Sequence, residues 1–413
     1  MLSGAAGEAL QVAMQVIVAV ARVNGARRLR PVSAAHIDGC LYHGPAGLDF
    51  AERLVAGGGQ VAIPTTLNVS ALDLLHPERI RLDTATRDRA RRLMDAYVAM
   101  GCQPTWTCAP YQLPDRPRLG QHIAWAESNA IVFANSVLGA RTGRYGDFID
   151  ICAALTGRVP DAGLHRTENR RAQIVLRLDG DIADIGLGDE MYGVIGHLVG
   201  QESGGLVPAI VGLPHDASED QLKALCAAAA SSGAVAMFHA VGVTPEAATL
   251  KEALGGRPPK QELDISRAQL RRAWLELSTS DGTGRLAAVS VGTPHLSIAE
   301  LEHLSSLLDG QGVHPDVQMY ASTGRGTLQL PAAGVMHDRL VGAGVKLVVD
   351  TCTYVTPILQ ARAGSVVMTN SAKWAWYAPG NLGVEVVYGS MADCVRSAVA
   401  GRVIRERPAI LEG

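Results

Sequence analysis

The sequence is poor in aromatic residues, at 4%, and poor in charge, at 19%, with 37 basic residues against 40 acidic ones and a formal net charge of -3. Without an excess of one sign there is no general electrostatic pull toward nucleic acid or an anionic membrane, so neither is expected as a partner. The chain has no G-x-G-x-x-G and no G-x-x-x-x-G-K-[ST] run, which leaves a nucleotide cofactor without support. Its 7 cysteines contain no C-x-x-C pair. An odd and scattered set argues against a disulfide framework. A long apolar run is missing as well. The stretch Val12 to Val23 is interrupted by Gln15, is too short to span a bilayer, and has its positive residues Arg22, Arg27 and Arg28 at its end and beyond. It is expected to be a buried helix in a cytoplasmic protein.

What is present is apolar bulk. In 413 residues, 47% are hydrophobic and 45 are glycine, enough to bury several cores and to make many tight turns. Helical periodicity is expected over 5–24 and again over 84–101, where Leu93, Met94, Tyr97 and Met100 share a face, Asp83 and Thr84 offer caps and Gly101 a stop. Small residues dominate 124–139, which predicts a helix packed close to another backbone. QIVLRLDG, YGVIGHLVG and VPAIVGLP look like strands and tight turns around a short helix, and 217–231 reads as a helix followed by the strand-like AVAMFHAVGVTP. RLAAVSVGTPH, VQMYAST, VKLVVDTC and SVVMTNS are apolar runs of strand length, with helical patterns at 298–309 and 333–344 between several of them. This alternation predicts parallel βαβ units and an α/β fold. Three domains are expected, 1–165, 166–260 and 261–413, with 255–263 as the best inter-domain loop.

In open α/β sheets ligands bind beyond the carboxyl ends of strands. Those ends read Gly292-Thr293-Pro294-His295, Ser322-Thr323, Asp350-Thr351-Cys352 and Thr369-Asn370-Ser371. Cys352 closes one of them. Cys108 sits between two prolines in PTWTCAPYQLP, and Cys40 lies in HIDGCLYHG, whereas Cys152, Cys226 and Cys394 fall inside apolar helical patterns. Two readings stand: unconnected thiols buried as small hydrophobes, or three loop thiolates around iron that keeps one coordination place open for a substrate hydroxyl. Hydroxyl- and amide-rich segments suit a carboxylate ligand: Thr65, Thr66 and Asn68 in IPTTLN; Asn135, Ser136, Arg141 and Thr142 in ANSVLGARTGRYGD; Ser371 and Lys373 in TNSAKWAWYAPG. The competing reading is ordinary capping and turn bonding. His239 and Glu246 flank a turn in FHAVGVTPEA; alone, such a histidine is more often a satisfied buried one.

These segments together resemble the aconitase X family. SAAHIDGCLYHGPAGLDFAERL, VAIPTTLN, PTWTCAPYQLP, WAESNAIVFANSVLGARTGRYGDFIDICAALTGRVP, FHAVGVTPEA, VGTPHLS, VVDTCTYVTPI and VVMTNSAKWAWYAPG run in the family's order from about residue 33 to 380. The resemblance implies the cluster-binding domains of an aconitase-like fold, without the swivelling small domain, which a separate small subunit is expected to supply together with a candidate base. It implies a hydro-lyase acting on a small hydroxy acid, with Cys108 and Cys352 as iron ligands. Archaeal-type members carry a cysteine where this chain has Thr293, so Cys40 is taken as the third ligand. That departure favours [2Fe-2S] over [4Fe-4S], and dehydration of cis-3-hydroxy-L-proline to Δ1-pyrroline-2-carboxylate over dehydration of mevalonate 5-phosphate. The substrate carboxylate is assigned to Arg141 with Ser136 and Asn135, or to the Ser371/Lys373 loop. Proton delivery falls to His239, Glu246 or His36, and Lys373 stands among the catalytic candidates. From another class, an iron–sulfur redox or sensing protein, or a metal-free binding protein, remains a rival.

Overall fold

A computed structural model describes residues 1–180, 182 and 186–411 of the chain. The alternation read in the sequence folds into three parallel sheets. The first joins Thr65–Leu67, Ala35–Ile37 and Ala124–Trp125, in that order, and lies beside a short antiparallel ribbon of Leu29–Pro31 with Arg158–Pro160. The second orders His239–Ala240, Pro208–Val211, Ile174–Leu178 and Gln261–Ile265. The third orders Val345–Val348, Gln318–Thr323, Leu286–Leu296, Val366–Thr369 and Glu385–Tyr388, all parallel. Strands such as Val366–Thr369 are buried at every residue, as continuous apolar runs must be when helices cover both faces. The fold is α/β, with parallel sheets flanked by helices.

The N-terminal helix, Glu8–Val23, buries Ala9, Ala13, Met14, Ile17 and Ala21 on one face. Thr84–Ala99 is a helix capped by Asp83, whose side chain accepts from Thr86 N at 2.9 Å. No described helix is long and apolar enough to cross a membrane.

Two local readings need correction. YGVIGHLVG is not strand and turn but the middle of a helix, Asp189–Ser203. Its glycines recur at helical spacing: Gly196 and Gly200 face a second helix, Glu219–Gly233, and Gly193 faces Tyr388 and Ala372. A Cβ on Gly196 would collide with the Leu225 carbonyl, and one on Gly233 with the Gly200 backbone. Close approach of two backbones outweighs the poor helix propensity of glycine. Second, 255–263 does not simply link domains, because Gln261–Ile265 adds an edge strand to the second sheet beside Ile174–Leu178.

The helix Ser128–Ser136 lies wholly inside, burying Asn129, Ala130, Ile131, Val132, Phe133, Ala134, Asn135 and Ser136. The Glu127 carboxylate caps its start by accepting from Ala130 N at 2.7 Å. The two ends of this helix therefore face different surroundings, and the candidate site residues divide between them.

Candidate active site

Two buried cysteines meet at the carboxyl end of the third sheet. Cys108, Cys352 and His295 offer ligand atoms that all lie within 4.8 Å of one another. Both thiols are free, and Val69, Tyr354 and Val355 pack around them. Each cysteine follows a residue held at positive φ two positions earlier, Trp106 at 45° and Asp350 at 63°. Asp350 is fixed there by Arg325, whose Nη2 is 2.5 Å from Oδ2, and by Leu74 N at 3.1 Å. Burial would raise the Cys108 pKa, yet contact with the Cys352 thiol and the Lys373 charge leave it lowered, while Cys352 is raised by contact with Cys108 and by burial.

Lys373 stands next to this pair on the helix Ala372–Leu382, which follows the strand end Thr369-Asn370-Ser371. Its ammonium is buried and donates to Glu127 Oε1 at 2.6 Å and Ser128 Oγ at 3.4 Å. Among the described residues the ammonium, which carries three donors, makes these two hydrogen bonds and no third. Glu127 also accepts from Asn129 Nδ2 at 2.5 Å, and Asn129 in turn donates to the Cys108 carbonyl at 2.8 Å. Ser371 caps its helix, accepting from Trp374 N at 3.0 Å and donating to the Thr293 carbonyl. Thr293, Asn370, Ser371 and Lys373 line a cavity of about 30 Å³, which shares Asn370 and Glu300 with a cleft of about 200 Å³ carrying Asp189, Glu190, Asp220 and His303.

On the first sheet, His36 Nδ1 and Thr66 Oγ1 are 2.8 Å apart. His36 Nε2 and Asn68 Oδ1 are buried with no hydrogen-bond partner among the described residues. Burial pushes the His36 pKa down to about 3, opposed by the Thr107 backbone, which places the ring beside the residue preceding Cys108. Asn68 Nδ2 donates to Asp38. Burial, with Glu127 and Asp147 nearby, raises Asp38 to about 7. Thr65 donates to the Ile63 carbonyl at 2.8 Å and serves its own turn.

Cys40 is not part of the Cys108–Cys352–His295 group. Its sulfur lies 3.3 Å from the Asn68 carbonyl and 3.7 Å from that of Val69, and the Val69 side chain is what touches Cys108 and Cys352. Burial and the nearby Asp38 and Asp150 hold the Cys40 thiol protonated.

The remaining expected residues gather at the other end of Ser128–Ser136, about 9 Å along the axis from Asn129 at the usual helical rise. Asn135 bonds Thr142 N at 3.0 Å and the Ala236 carbonyl at 3.0 Å, and Ser136 Oγ accepts from Phe238 N at 2.9 Å. Thr142 Oγ1 accepts from Trp125 N at 3.0 Å. Glu246 pairs with buried Arg170 at 2.5 Å, and His239 Nε2 bonds the Arg170 carbonyl at 2.7 Å. Arg141 bonds Thr167 Oγ1 at 2.8 Å and the His165 carbonyl at 3.2 Å. This network ties the first sheet's region to the second. It does not bring Asn135, Ser136, Arg141, Thr142, His239 or Glu246 to the cysteine pair. Glu127 was missed in the sequence, where a lone Glu at a helix start carries no pattern; Asp38 was visible only as a neighbour of Cys40 and His295 only as part of a strand's carboxyl end, neither with a role.

The donor set decides what the site can hold. Two facing thiols in a water-poor pocket, with a buried cation beside them, suit a thiophilic metal such as iron or zinc.

Comparison with known proteins agrees. Models of the aconitase X first, second and third domains match residues 1–168, 172–275 and 286–400. A cis-3-hydroxy-L-proline dehydratase of Pseudomonas aeruginosa is 44% identical over 100% of this chain and 70% of its own length. One from Hypocrea jecorina is 41% identical over 99% and 69%. A phosphomevalonate dehydratase large subunit of Methanosarcina mazei is 36% identical over 97% of this chain and 96% of its own. The crystal structure of Thermococcus kodakaraensis aconitase X in its holo-form superposes with a TM-score of 0.85 at 30% identity, covering 96% of this chain and 97% of that one. From the cysteine-bearing strand ends to these three matched domains, the chain belongs to the aconitase X family.

Proposed function

We propose that this chain is a hydro-lyase that dehydrates cis-3-hydroxy-L-proline to Δ1-pyrroline-2-carboxylate, using an iron–sulfur centre. The observation that carries it is the buried Cys108–Cys352 pair beside Lys373, in a chain 44% identical along its whole length to an enzyme of that name. Cys108 and Cys352 would hold the centre through their thiolates. Cys40 is proposed as the third ligand. Its sulfur rests on the Asn68–Val69 peptide, and Val69 belongs to the same apolar cluster as the pair; the centre is proposed as [2Fe-2S]. When bound, the iron supplies Lewis-acid assistance to departure of the substrate's 3-hydroxyl.

The chain's own residues bind and orient. The free N–H of Lys373 takes the substrate carboxylate, replacing the hydration an ammonium loses on burial. His36 Nε2 and Asn68 Oδ1, otherwise unsatisfied, receive the remaining polar groups of the substrate; an orphaned buried atom costs about 1–3 kcal/mol until it is matched. Glu127 holds Lys373 in place. His239 and Glu246 act at a distance, fixing Arg170 and so the junction between sheets. A swivelling domain outside the described residues, supplied by a small subunit, completes the site and brings the base for the Cα proton. The relatives named as large subunits support that division.

The test is anaerobic co-expression with a small aconitase X subunit, followed by iron, sulfide and activity on one sample. Turnover of cis-3-hydroxy-L-proline, and none of mevalonate 5-phosphate, is expected. Turnover of the phosphorylated substrate alone would replace the substrate assignment, and a colourless protein without iron would overturn the centre itself.

A further inference from the structure

His295 is the third member of the metal-capable group, yet both of its ring nitrogens are already engaged. Nε2 lies 3.2 Å from the Thr351 carbonyl, and Nδ1 lies 3.1 Å from Thr107 Oγ1. A carbonyl only accepts, so Nε2 carries the proton in the neutral ring. Nδ1 then has only its lone pair, which the Thr107 hydroxyl fills. To ligate a metal, the ring would have to surrender one of these bonds.

The two partners are not arbitrary. Thr107 immediately precedes Cys108, and Thr351 immediately precedes Cys352. One imidazole thus spans both cysteine turns, which otherwise come from chain segments more than 200 residues apart. The backbone N–H of His295 also donates to Cys108 Sγ at 3.3 Å. Its carbonyl is held by Gln112 Nε2 at 3.3 Å and Lys223 Nζ at 3.4 Å. Such support suits the turns, since Trp106 and Asp350 sit at φ 45° and 63°, a region that non-glycine residues, a bulky tryptophan above all, occupy uncommonly.

We propose that His295 is a positioning residue rather than a metal ligand, a brace that sets the spacing of the Cys108 and Cys352 thiols. This rests on the metal-centre reading above. Residues that orient ligands from behind typically change metal affinity by about 10–100-fold when replaced. A brace also leaves the electronic structure of the centre as the thiolates define it, whereas a nitrogen ligand imprints itself on it.

The test uses the holoenzyme with its small subunit. Pulsed EPR of the reduced wild-type centre is expected to show no directly bonded nitrogen. His295→Leu, which reaches neither threonine, is expected to bind iron about 10-fold or more weakly in a chelator competition. His295→Asn and His295→Gln, each able to restore one of the two bonds, should fall between, with g-values unchanged from wild type. A strong nitrogen coupling in the wild type, or His295→Leu that keeps wild-type iron affinity and spectrum, overturns the brace. Should His295→Leu fail to fold, the wild-type nitrogen measurement alone decides. Cys108→Ser serves as the control: if it retains the centre, the metal-centre reading has failed, and the brace falls with it.

Discussion

Replacing Lys373 by methionine removes the cation from an ion pair that is closed on both sides, with the lysine 4% and the glutamate 5% exposed at the side chain. Glu127 would keep Ala130 N, Asn129 Nδ2 and Ser128 Oγ, but lose its one salt-bridge partner among the described residues. Breaking a buried pair on one side costs about 3–5 kcal/mol, because a charge stays behind in a low-dielectric site. The three retained donors and the helix N-terminus offset part of that, the latter by about 0.3–1 kcal/mol. The expected loss is therefore about 2–4 kcal/mol, read as a lowered denaturant midpoint at unchanged slope. Replacing both partners, Lys373→Met with Glu127→Gln, removes the stranded charge and should recover most of the loss while leaving the enzyme inactive. A coupling energy of about 2 kcal/mol or more in that cycle is expected for groups in direct contact. If Lys373→Met alone costs under about 1 kcal/mol, or the two changes simply add, the pair is not the buried couple described. If the double variant regains activity as well as stability, Lys373 does not bind substrate.

Cys40→Ser is expected to lose iron as Cys108→Ser and Cys352→Ser do, while Cys394→Ser keeps it; full iron in Cys40→Ser removes Cys40 from the ligand set. Gly233→Ala drives a methyl into the Gly200 backbone, and such overpacking should cost about 1–3 kcal/mol in thermal unfolding; an unchanged Tm would show that the two helices can part freely. Burial, reinforced by His165's neighbour His122 and by Arg30, lowers the His165 pKa to about 3. The unfolded chain takes up that proton near pH 6.5 and the folded one does not, so stability should fall as pH drops from 6.5 toward 3, by about 1.4 kcal/mol per unit per such group. His165→Gln should flatten that slope, and an identical pH profile in wild type and variant would refute the assignment. Glu246→Gln should lower stability with kcat little changed, since its partner is Arg170; a large fall in kcat at wild-type stability would return Glu246 to the catalytic site.

The sequence by itself determined the class of fold, because strand-length apolar runs ending in small polar residues permit little but a parallel α/β arrangement. It also placed Cys352 at a strand end and Cys108 in a loop between two prolines and, through long specific segments such as ANSVLGARTGRYGD, carried the family. What it could not determine was which polar residues share a site. Asn135 and Glu127 bracket one helix, and only the packed core shows that its N-terminal end turns toward the thiols and its C-terminal end toward Arg170. YGVIGHLVG misled for the same reason: its glycines are answered by a facing helix distant in sequence, and helix propensity knows nothing of that contact. His295 became legible only when Thr107 and Thr351 were seen on either side of its ring. Local pattern records the burial each residue needs. Convergence of groups from distant segments is set by how those burials are satisfied together, and only the tertiary structure holds that solution.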